Sequence, residues 1–323
     1  MTDAPVVLGL DVGGSTTRVL LADLDGQVLA GATGAGGNPV SYGEATAAGH
    51  ILDALRTALA EVDPAGVVAG VIGLAGGLIR ATALDQVWSA AGLPITPRVV
   101  SDLQLAYVAG TSGPTGSVLL SGTGAAAAHC RDFEPVRTAD GHGWLLGDRG
   151  SGYWLGRAAV ETALAANDRG ELDGLAAQVV HTLAGPQPPG RRTRAALIAA
   201  AHADAPVRLA RLAPLVLSSA TAGDPQARRL VHRAADHLLD TLTAVHAPHS
   251  QLPVVLAGGV LAPDSPLSAE VRTRITAHWP DAPLTHAGNT AGAAAWLAIR
   301  QLGRTDTALH TRLTAQPPTP TRT

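Results

Sequence analysis

The sequence predicts an α/β fold made of two similar halves. Apolar strands alternate with amphipathic helices along most of the 323 residues, which is the pattern of helices packed on sheets. An apolar strand that runs directly into a glycine turn occurs three times, at 10–14, 117–124 and 253–259. The length suits two domains of ordinary size or one large domain, and the repeated pattern favours two related lobes.

The first lobe begins with three predicted strands. The stretch LDVGGSTTRVLLADLDGQVLA at 10–30 alternates apolar runs with turn signals, and Asp11 stands at the end of the first strand. It is not a P-loop, because no lysine follows the glycines and an apolar run comes next. The elements that follow are a helix at 44–62, a strand buried on both faces at 66–77, a helix near 82–91 and a strand at 97–102.

The second lobe repeats the opening pattern after a turn-rich break at 111–116. The stretch SVLLSGTGAAAAHC predicts strand, glycine turn and strand over 117–130, and the chain is then mostly helical over 155–248 until the strand PVVLAGGVL at 253–261. We expect a small lobe over 1–104, to which a C-terminal helix at 289–303 can be added, a large lobe over 105–288 and a disordered tail over 313–323.

Composition excludes several classes of function. All 23 basic residues are arginine, which excludes mechanisms built on a lysine, and the net charge of −3 offers no basic surface for a nucleic acid partner. The lone Cys130 excludes a disulfide framework and a cysteine cluster for a metal. Without a signal-like start or a run of 18 apolar residues, we expect a cytoplasmic protein with no membrane partner. With hydrophobic content at 46% and aromatic content at 3%, Ala, Val and Leu must form the core.

The three glycine turns share one physical interpretation. At the carboxyl end of a buried strand, glycine lets the backbone approach a phosphate closely, with N–H groups that can face it. Each turn alone is weak evidence, because glycine turns are common in α/β proteins. Together, with carboxylates at two strand ends, they indicate a nucleotide held by two similar halves.

A resemblance to a known family rests on six motifs that occur in the family's order. They are DVGGSTTR at 11–18, SD at 101–102, SGTG at 121–124, GHGWLLGDRGSGYWLGR at 141–157, ATAGDP at 220–225 and AGGV at 257–260. From about residue 6 to residue 300 the chain resembles the N-acetylglucosamine kinase family, of the BadF/BadG/BcrA/BcrD type within the hexokinase–actin–heat-shock-chaperone superfamily. The resemblance implies two actin-like (ribonuclease H-like) lobes, each a mixed sheet flanked by helices. It also implies Mg-ATP and an amino sugar in the cleft between them, transfer of the γ-phosphate to the sugar 6-hydroxyl, and a homodimer.

For the nucleotide, the resemblance implies a role for each glycine turn. Asp11 would hold Mg²⁺ through water beside the β- and γ-phosphates, since magnesium dehydrates reluctantly. The alternative for Ser15 and Thr16 is that they are ordinary turn residues. The implied nucleotide-binding residues are Asp11, Gly13, Gly14, Ser15, Thr16, Gly122, Thr123, Gly124, Ala220, Gly258 and Gly259.

For catalysis, the resemblance points to Asp102. This residue follows a β-branched strand and opens a predicted helix. From the residues alone, a helix N-cap is the favoured interpretation. The resemblance instead implies the catalytic base, which takes the proton from the attacking hydroxyl.

For the sugar, the resemblance implies a second set of residues. Asn38 would bind a pair of hydroxyls, because an amide offers both a donor and an acceptor; its alternative is a turn residue before Pro39. The implied substrate-binding residues are Asn38, Gly77, Asp102, Ala125, Ala126, Gly141, His142, Gly143 and Asp148.

Four positions depart from the family pattern around the sugar. Ala125 and Ala126 replace residues that are often polar, His142 replaces a common tryptophan, and Arg149 replaces a common glutamate. A lost acid and a gained cation change the polarity of the pocket. The acceptor could therefore be N-acetylglucosamine, glucosamine, N-acetylmannosamine or a muramic-type sugar.

Two other classes of function fit the sequence less well than a kinase does. ATPases of the same family that activate dehydratases use an iron–sulfur cluster, and a single cysteine cannot supply its ligands. An ATP-binding switch or regulatory module would not need a base that activates a hydroxyl, so Asp102 argues against it. The sequence thus favours an ATP- and Mg²⁺-dependent amino-sugar kinase.

Overall fold

The computed structural model describes residues 4–75 and 80–315. By its internal contacts the chain divides into two compact units, each described by itself below. Unit 1 consists of Met1–Pro114, Cys130–Pro135 and Ala287–Thr323, and unit 2 consists of Thr115–His129 and Val136–His286.

Within the described residues the chain forms ten strands and thirteen α-helices. The strands are β1 (Val6–Val12), β2 (Thr16–Asp23), β3 (Val28–Ala35), β4 (Val67–Leu74), β5 (Arg98–Ser101), β6 (Gly116–Ser121), β7 (Ala125–Arg131), β8 (Glu134–Asp140), β9 (Val254–Ala257) and β10 (Leu284–His286). The helices are α1 (Pro39–Tyr42), α2 (Glu44–Leu59), α3 (Ala81–Ala90), α4 (Asp102–Gly110), α5 (Gly143–Leu146), α6 (Gly152–Arg169), α7 (Gly174–Ala184), α8 (Arg191–His202), α9 (Ala213–Thr221), α10 (Pro225–Thr243), α11 (Pro266–His278), α12 (Thr290–Gln301) and α13 (Thr307–Thr314).

Unit 1 is built on a five-stranded sheet in the order β3-β2-β1-β4-β5. The first three strands form an antiparallel meander, whereas β4 runs parallel to β1 and β5 parallel to β4. All seven residues of β1 are buried. A strand enclosed on both sides needs an apolar sequence, and the run Val6–Val12 is interrupted only by Gly9 and Asp11.

Helix α12 packs directly on the centre of this sheet. A Cβ atom on Gly9 would lie 2.1 Å from the carbonyl oxygen of Ala291 and 2.5 Å from the backbone nitrogen of Ala295. Only glycine permits such a close approach of helix and strand backbones. The helix is correspondingly rich in buried alanine.

The carboxyl ends of β1, β4 and β5 lie on one edge of the unit 1 sheet. Asp11 is in register with Gly73 of β4, and Gly73 is in register with Val100 of β5. Neighbouring strands are about 4.8 Å apart, so Asp11 and the end of β5 are separated by roughly 10 Å. A Cβ atom on Gly73 would lie 2.2 Å from Leu105 Cδ1, so the glycine makes room for α4, which begins with Asp102.

Unit 2 repeats the topology of unit 1. Its sheet has the order β10-β9-β6-β7-β8, so in both units the first strand is flanked by the second and the fourth. The strand β9 is parallel to β6, and β10 is parallel to β9, just as β4 and β5 follow β1. Two mixed sheets flanked by helices confirm the predicted fold class.

Most predicted elements are present with shifted ends. The helix expected at 44–62 ends at Leu59, and the strand expected at 66–77 ends at Leu74. The tail expected over 313–323 overlaps α13, in which Leu313 is fully buried, because α13 packs on α12. Residues 316–323 lie outside the described residues.

Several chemistries lack support in the described residues. None of the helices there has the length and apolar content needed to cross a membrane. The same residues bring together no group of three or more His, Cys, Asp or Glu side chains that could hold a metal. Cys130 is buried, and burial together with the charge of Glu134 raises the pKa of its thiol to about 12, so it remains a neutral thiol.

Candidate active site

The first glycine turn joins β1 to β2 in unit 1. The Gly13 N–H donates to the Thr16 carbonyl at 2.9 Å and closes the turn. The segment after β3 packs on it, since a Cβ atom on Gly36 would lie 2.4 Å from the Gly14 carbonyl oxygen. The Gly37 N–H donates to the Gly13 carbonyl at 3.2 Å. Gly36 and Gly37 therefore hold the turn at Gly13 and Gly14 in place. The Gly13 N–H is already bonded within the turn.

Asp11, at the end of β1, is 9% exposed and has two partners that the sequence analysis missed. Arg18 Nη1 donates to Asp11 Oδ2 at 3.1 Å, and Thr290 Oγ1 donates to the same oxygen at 2.5 Å. Arg18 stands directly opposite Asp11 in the β1–β2 pair, so a three-residue turn in the hairpin could have indicated this contact. Thr290 follows the N-cap Asn289 of α12, far away in sequence, and only the fold brings it here.

The geometry at Asp11 fits a magnesium ion held through water. Magnesium keeps several water ligands and takes one or two carboxylates together with phosphate oxygens. Both hydrogen bonds to Asp11 end on Oδ2, which leaves Oδ1 as the oxygen for a hydrated cation. The Arg18 guanidinium beside it would compete with the cation and also attract phosphate.

Asp102 is the first residue of α4, at the same sheet edge as Asp11. The N-cap residue is Ser101, whose Oγ accepts from the Gln104 N–H at 3.1 Å. The N-cap interpretation of Asp102 is therefore wrong, because its neighbour makes the capping hydrogen bond. Asp102 Oδ1 accepts from the Leu103 N–H at 2.8 Å, and the half-buried carboxylate lies at the positive end of the helix.

Asn38 and Gly77 are the two other sugar-binding candidates of unit 1. Asn38 is half-buried and follows Gly37, which is bonded to the first glycine turn. The Asn38 carbonyl accepts from the Tyr42 N–H at 3.1 Å, at the start of α1. Gly77 lies outside the described residues.

The second glycine turn joins β6 to β7 in unit 2 and is held by the start of α6. The Gly152 N–H donates to the Gly122 carbonyl at 2.8 Å, and the Tyr153 N–H donates to the Thr123 carbonyl at 3.2 Å. Within the turn, the Gly122 N–H donates to the Gly124 carbonyl at 2.9 Å. These bonds join the backbone of the SGTG motif to the backbone of the GSGYW segment, so the two motifs form one structural unit.

Asp148 connects the loop after β8 to the start of β7. Its Oδ1 accepts from the Ala125 N–H at 3.1 Å, and a Cβ atom on Gly124 would lie 2.8 Å from that oxygen. Asp140 Oδ1 accepts from the Asp148 N–H at 2.7 Å, and Asp140 Oδ2 accepts from the Arg149 N–H at 3.0 Å. Asp140 belongs to none of the sequence motifs, yet it fixes the backbone that carries Asp148.

Conformation and burial mark Asp148 as an unusual residue. Asp140 and Asp148 have left-handed backbones, with φ of 59° and 56°, which is uncommon outside glycine. Asp148 is 8% exposed. Burial raises the pKa of its carboxyl, the Ala125 N–H opposes this shift, and the nearby Asp140 adds to it. Left-handed residues and acids with a raised pKa concentrate at functional sites.

The remaining sugar-binding candidates of unit 2 divide into buried and exposed groups. Ala125 and Ala126 are buried in β7, whereas Gly141–Gly143 is exposed. The Gly141 N–H donates to the Ala125 carbonyl at 3.0 Å, which attaches this loop to the second glycine turn. The loop continues into α5, where Leu145 and Leu146 are 72% and 78% exposed.

The third glycine turn packs against the second. Gly258 has a φ of 91°, and a Cβ atom there would lie 2.2 Å from the Ser121 carbonyl oxygen. Only glycine fits this position. Because β9 runs parallel to β6, both turns lie at the carboxyl edge of the unit 2 sheet, and the space at Gly259 is open.

Ala220 lies on α9, next to a structural aspartate that the sequence analysis gave no role. Asp224 Oδ1 accepts from the Ala227 N–H and caps α10, while Oδ2 accepts from the Leu175 N–H at the start of α7, both at 2.8 Å. Asp224 thus joins two helices, which explains its place in the ATAGDP motif. Ala220 itself is 6% exposed.

Comparisons with known proteins agree with these motifs. The family model described as the BadF/BadG/BcrA/BcrD ATPase family matches residues 8–283. N-acetyl-D-glucosamine kinase of Dictyostelium discoideum is 25% identical over 300 residues, covering 86% of this chain and 92% of that protein. The N-acetylmuramic acid/N-acetylglucosamine kinase of Clostridium acetobutylicum is 28% identical over 191 residues, covering 56% of this chain and 60% of that protein.

A solved structure shares the fold along nearly the whole chain. It is a provisionally named N-acetylglucosamine kinase from Chromobacterium violaceum, with a TM-score of 0.74 and 27% identity. The match covers 92% of this chain and 100% of that one. The family match alone spans far more than half of the sequence. The chain therefore belongs to the BadF/BadG/BcrA/BcrD ATPase family.

Proposed function

We propose that the protein is an ATP-dependent sugar kinase that phosphorylates N-acetylglucosamine at its 6-hydroxyl. The observation that carries this proposal is the position of Asp102, on the same sheet edge as Asp11 and one residue after Ser101, which is the N-cap of its helix. The names of the relatives, which are kinases of N-acetylglucosamine, support the substrate class.

In this proposal the chain contributes a base and two phosphate-binding surfaces. Asp102 accepts the proton of the sugar hydroxyl as that oxygen bonds to the γ-phosphorus, while the bond from the γ-phosphorus to the bridging oxygen breaks and ADP leaves. Mg-ATP supplies the phosphoryl group and neutralises its charge. Asp11 Oδ1 would hold the hydrated magnesium, which would neutralise part of the phosphate charge, and the glycine turns let the backbone lie close to the phosphates. Catalysis then comes mostly from positioning and electrostatics, as in other phosphoryl transfers.

Asp148 is the proposed anchor for the sugar in unit 2. Its Oδ1 accepts from the Ala125 N–H, which leaves Oδ2 for a sugar hydroxyl. Asp140 accepts from the backbone N–H groups of both Asp148 and Arg149, so the Asp148 carboxylate is positioned before the sugar arrives. We propose that adenosine binds beside Gly259, where the space is open, and Ala220. Cytoplasmic location and a homodimer stay predictions.

A muramic-type sugar is a second candidate acceptor, and Arg149 favours it. The residue is exposed, and within the described residues its guanidinium has no acidic partner. A muramic-type sugar carries a carboxylate that an arginine can bind through two hydrogen bonds. The name of the Clostridium relative gives both N-acetylmuramic acid, which carries such a carboxylate, and N-acetylglucosamine, which does not.

A panel of acceptors tests the proposal directly. ADP release should be measured with ATP and Mg²⁺ in the presence of N-acetylglucosamine, N-acetylmuramic acid, glucosamine, N-acetylmannosamine and glucose. We expect N-acetylglucosamine or N-acetylmuramic acid to give the highest kcat/KM. ADP release that no sugar stimulates would favour an ATP-binding switch and contradict the kinase.

The Arg149→Glu variant should change the ranking of these sugars. A charge-assisted hydrogen bond contributes about 1.5–3 kcal/mol, so kcat/KM for N-acetylmuramic acid should fall roughly 10–100-fold relative to N-acetylglucosamine. Arg229→Glu, which reverses another exposed arginine of unit 2, is the matched control and should leave the ranking unchanged. An equal loss on every sugar would show that Arg149 does not select the acceptor.

The Asp148→Asn variant should raise the sugar KM without destabilising the protein. We expect KM to rise roughly tenfold or more with a smaller change in kcat, because the lost contact exists in both ground and transition states. The raised pKa of Asp148 means that stability falls as pH rises from the ordinary aspartate pKa through the raised value. Asparagine removes this loss, and its oxygen can still accept from Ala125.

Urea unfolding at pH 5 and pH 7, together with sugar kinetics, checks the Asp148→Asn prediction. The contrasting variant is Asp140→Asn, which places an NH2 donor against one of the two backbone N–H groups that the carboxylate oxygens bind separately and should unfold at lower urea. An Asp148→Asn protein that is less stable at pH 7 and has an unchanged KM would reverse the assignment from binding to structure.

A further inference from the structure

A small pocket in unit 1 lies outside the candidate active site. It has a volume of about 180 Å³ and is lined by residues of β5, α4 and α12, by the two-residue connection between β7 and β8 and by the first residue of β8. The charged, amide and aromatic residues of the lining include Arg98, Gln104, Asp132, Phe133, Glu134 and Arg300. None of them has a role in the proposed kinase reaction.

Arg300 lines this pocket, and two aromatic rings support its guanidinium. Its guanidinium carbon lies 4.5 Å from the ring centre of Phe133 and 5.0 Å from that of Trp296. Stacking on aromatic faces holds the plane of an arginine and leaves its N–H edge available as a donor. Among the described residues Arg300 has no acidic partner, whereas the neighbouring Arg98 is paired with Glu134.

Gln104 adds a second polar group without a partner. The residue is 3% exposed and lines the pocket. In the described part of the chain its side-chain amide makes no hydrogen bond, and only its backbone N–H is engaged, by Ser101. Since the amide atoms are not among the side-chain atoms that are fully buried without a partner, the amide faces the open space of the pocket, where a ligand or water can bond to it.

The turn that brings Phe133 beneath Arg300 has an unfavourable backbone. Asp132 and Phe133 have φ of 52° and 65°, and a bulky residue in the left-handed region is a true outlier. Such a conformation costs about 1–3 kcal/mol and persists only where packing enforces it. Phe133 is 5% exposed and meets Trp296 edge to face, with ring centres 5.3 Å apart. The strained turn thus builds the aromatic support for Arg300.

We propose that this pocket binds a small oxyanion, the carboxylate or phosphate group of a small metabolite. The N–H edge of Arg300 donates to the anion, and the Gln104 amide bonds to it or to an adjacent hydroxyl. The pocket is smaller than the roughly 300–1,000 Å³ typical of drug-sized ligands, which favours a few-atom anion. Asp132 and Glu134 on the lining disfavour polyanions such as nucleotides.

Binding here has a route to the proposed reaction. Gln104 lies two residues after Asp102, in the first turn of α4. An anion that engages Gln104 would therefore restrain the helix start that carries the proposed base. This consequence rests on the proposed function, whereas anion binding itself does not.

Isothermal titration calorimetry on the full chain, without sugar or nucleotide, tests the site. Inorganic phosphate and malonate are the two probes, and we expect saturable binding of at least one. Arg300→Met keeps a stem that packs on the rings but removes the donors, and should raise the Kd at least tenfold. Gln104→Leu should weaken binding as well, and Arg229→Met, at an exposed arginine of unit 2, should change nothing.

The two probes and a second variant separate the possible outcomes. Tighter binding of phosphate or of malonate identifies which oxyanion the pocket takes, and either result supports the proposal. Phosphate bound at the glycine turns would persist in Arg300→Met, so only the difference from the wild type reports on this pocket. If Arg300→Met fails to fold, Arg300→Lys, which keeps the charge without the planar fork, should still raise the Kd. Absent binding, or equal Kd in wild type and variants, would overturn the proposal even if the protein is an active kinase.

Discussion

The Asp102→Asn variant should lower kcat by about 10²–10⁴-fold, the usual contribution of a general base. Asparagine has nearly the same shape but cannot accept the hydroxyl proton. The helix should survive, because Ser101 makes the capping bond, and the lost interaction of the carboxylate with the helix dipole is worth only about 0.3–1 kcal/mol. The affinity for ATP should stay close to that of the wild type, since Asp11 and the glycine turns are intact.

Two measurements distinguish a catalytic loss from a structural one. Single-turnover rates with saturating sugar should show the full decrease, while the urea midpoint should shift little. Asp306→Asn is the matched control, because Asp306 caps α13 in the same unit by accepting from the Ala308 N–H, and asparagine caps equally well. An Asp102→Asn protein with near wild-type kcat would end the assignment of the base.

The strands that carry the candidate site could be predicted because each has a local signature. A strand enclosed on both faces needs a continuous apolar run, and β1, β4 and β9 have one. Glycine follows where the backbone must turn or pack closely, as at Gly258 against Ser121. The repeated pattern of apolar strand and glycine turn therefore indicated two related lobes, and both sheets have the same strand order.

The partners of the predicted residues could not be predicted in the same way. Thr290 reaches Asp11 across 279 positions of sequence, a contact that depends on α12 packing over Gly9. Asp140 lies eight residues before Asp148, and its role depends on two left-handed residues that no propensity specifies. The N-cap of α4 was misplaced by one residue, because serine and aspartate both favour that position.

A buried histidine of unit 2 that has no role in the proposed reaction makes the stability of the protein dependent on pH. His246 is 1% exposed in unit 2, and its Nδ1 is 2.9 Å from Ser117 Oγ, which in turn is 3.2 Å from His129 Nδ1. Its Nε2 is buried and finds no hydrogen-bond partner among residues 4–75 and 80–315, and its ring packs against Trp279. Burial, and secondarily repulsion from His129, lowers the pKa of His246 to about 4 from the ordinary 6.5.

The His246→Asn variant should lose less stability in acid than the wild type does. Since the folded state keeps His246 neutral, the unfolded chain binds an extra proton as pH falls below 6.5. Each pH unit then removes about 1.4 kcal/mol, and the loss reaches about 3 kcal/mol near pH 4, a change of more than about 100-fold in the unfolding equilibrium. Urea unfolding from pH 7.5 to 4.5 should show this slope in the wild type and in His249→Asn, which removes an exposed imidazole. The free energy of unfolding of His246→Asn should fall less steeply with acid, by about 1.4 kcal/mol per pH unit below pH 6.5. The smaller side chain lowers the stability of this variant at every pH. Parallel curves for wild type and His246→Asn would show that this histidine does not carry the pH dependence.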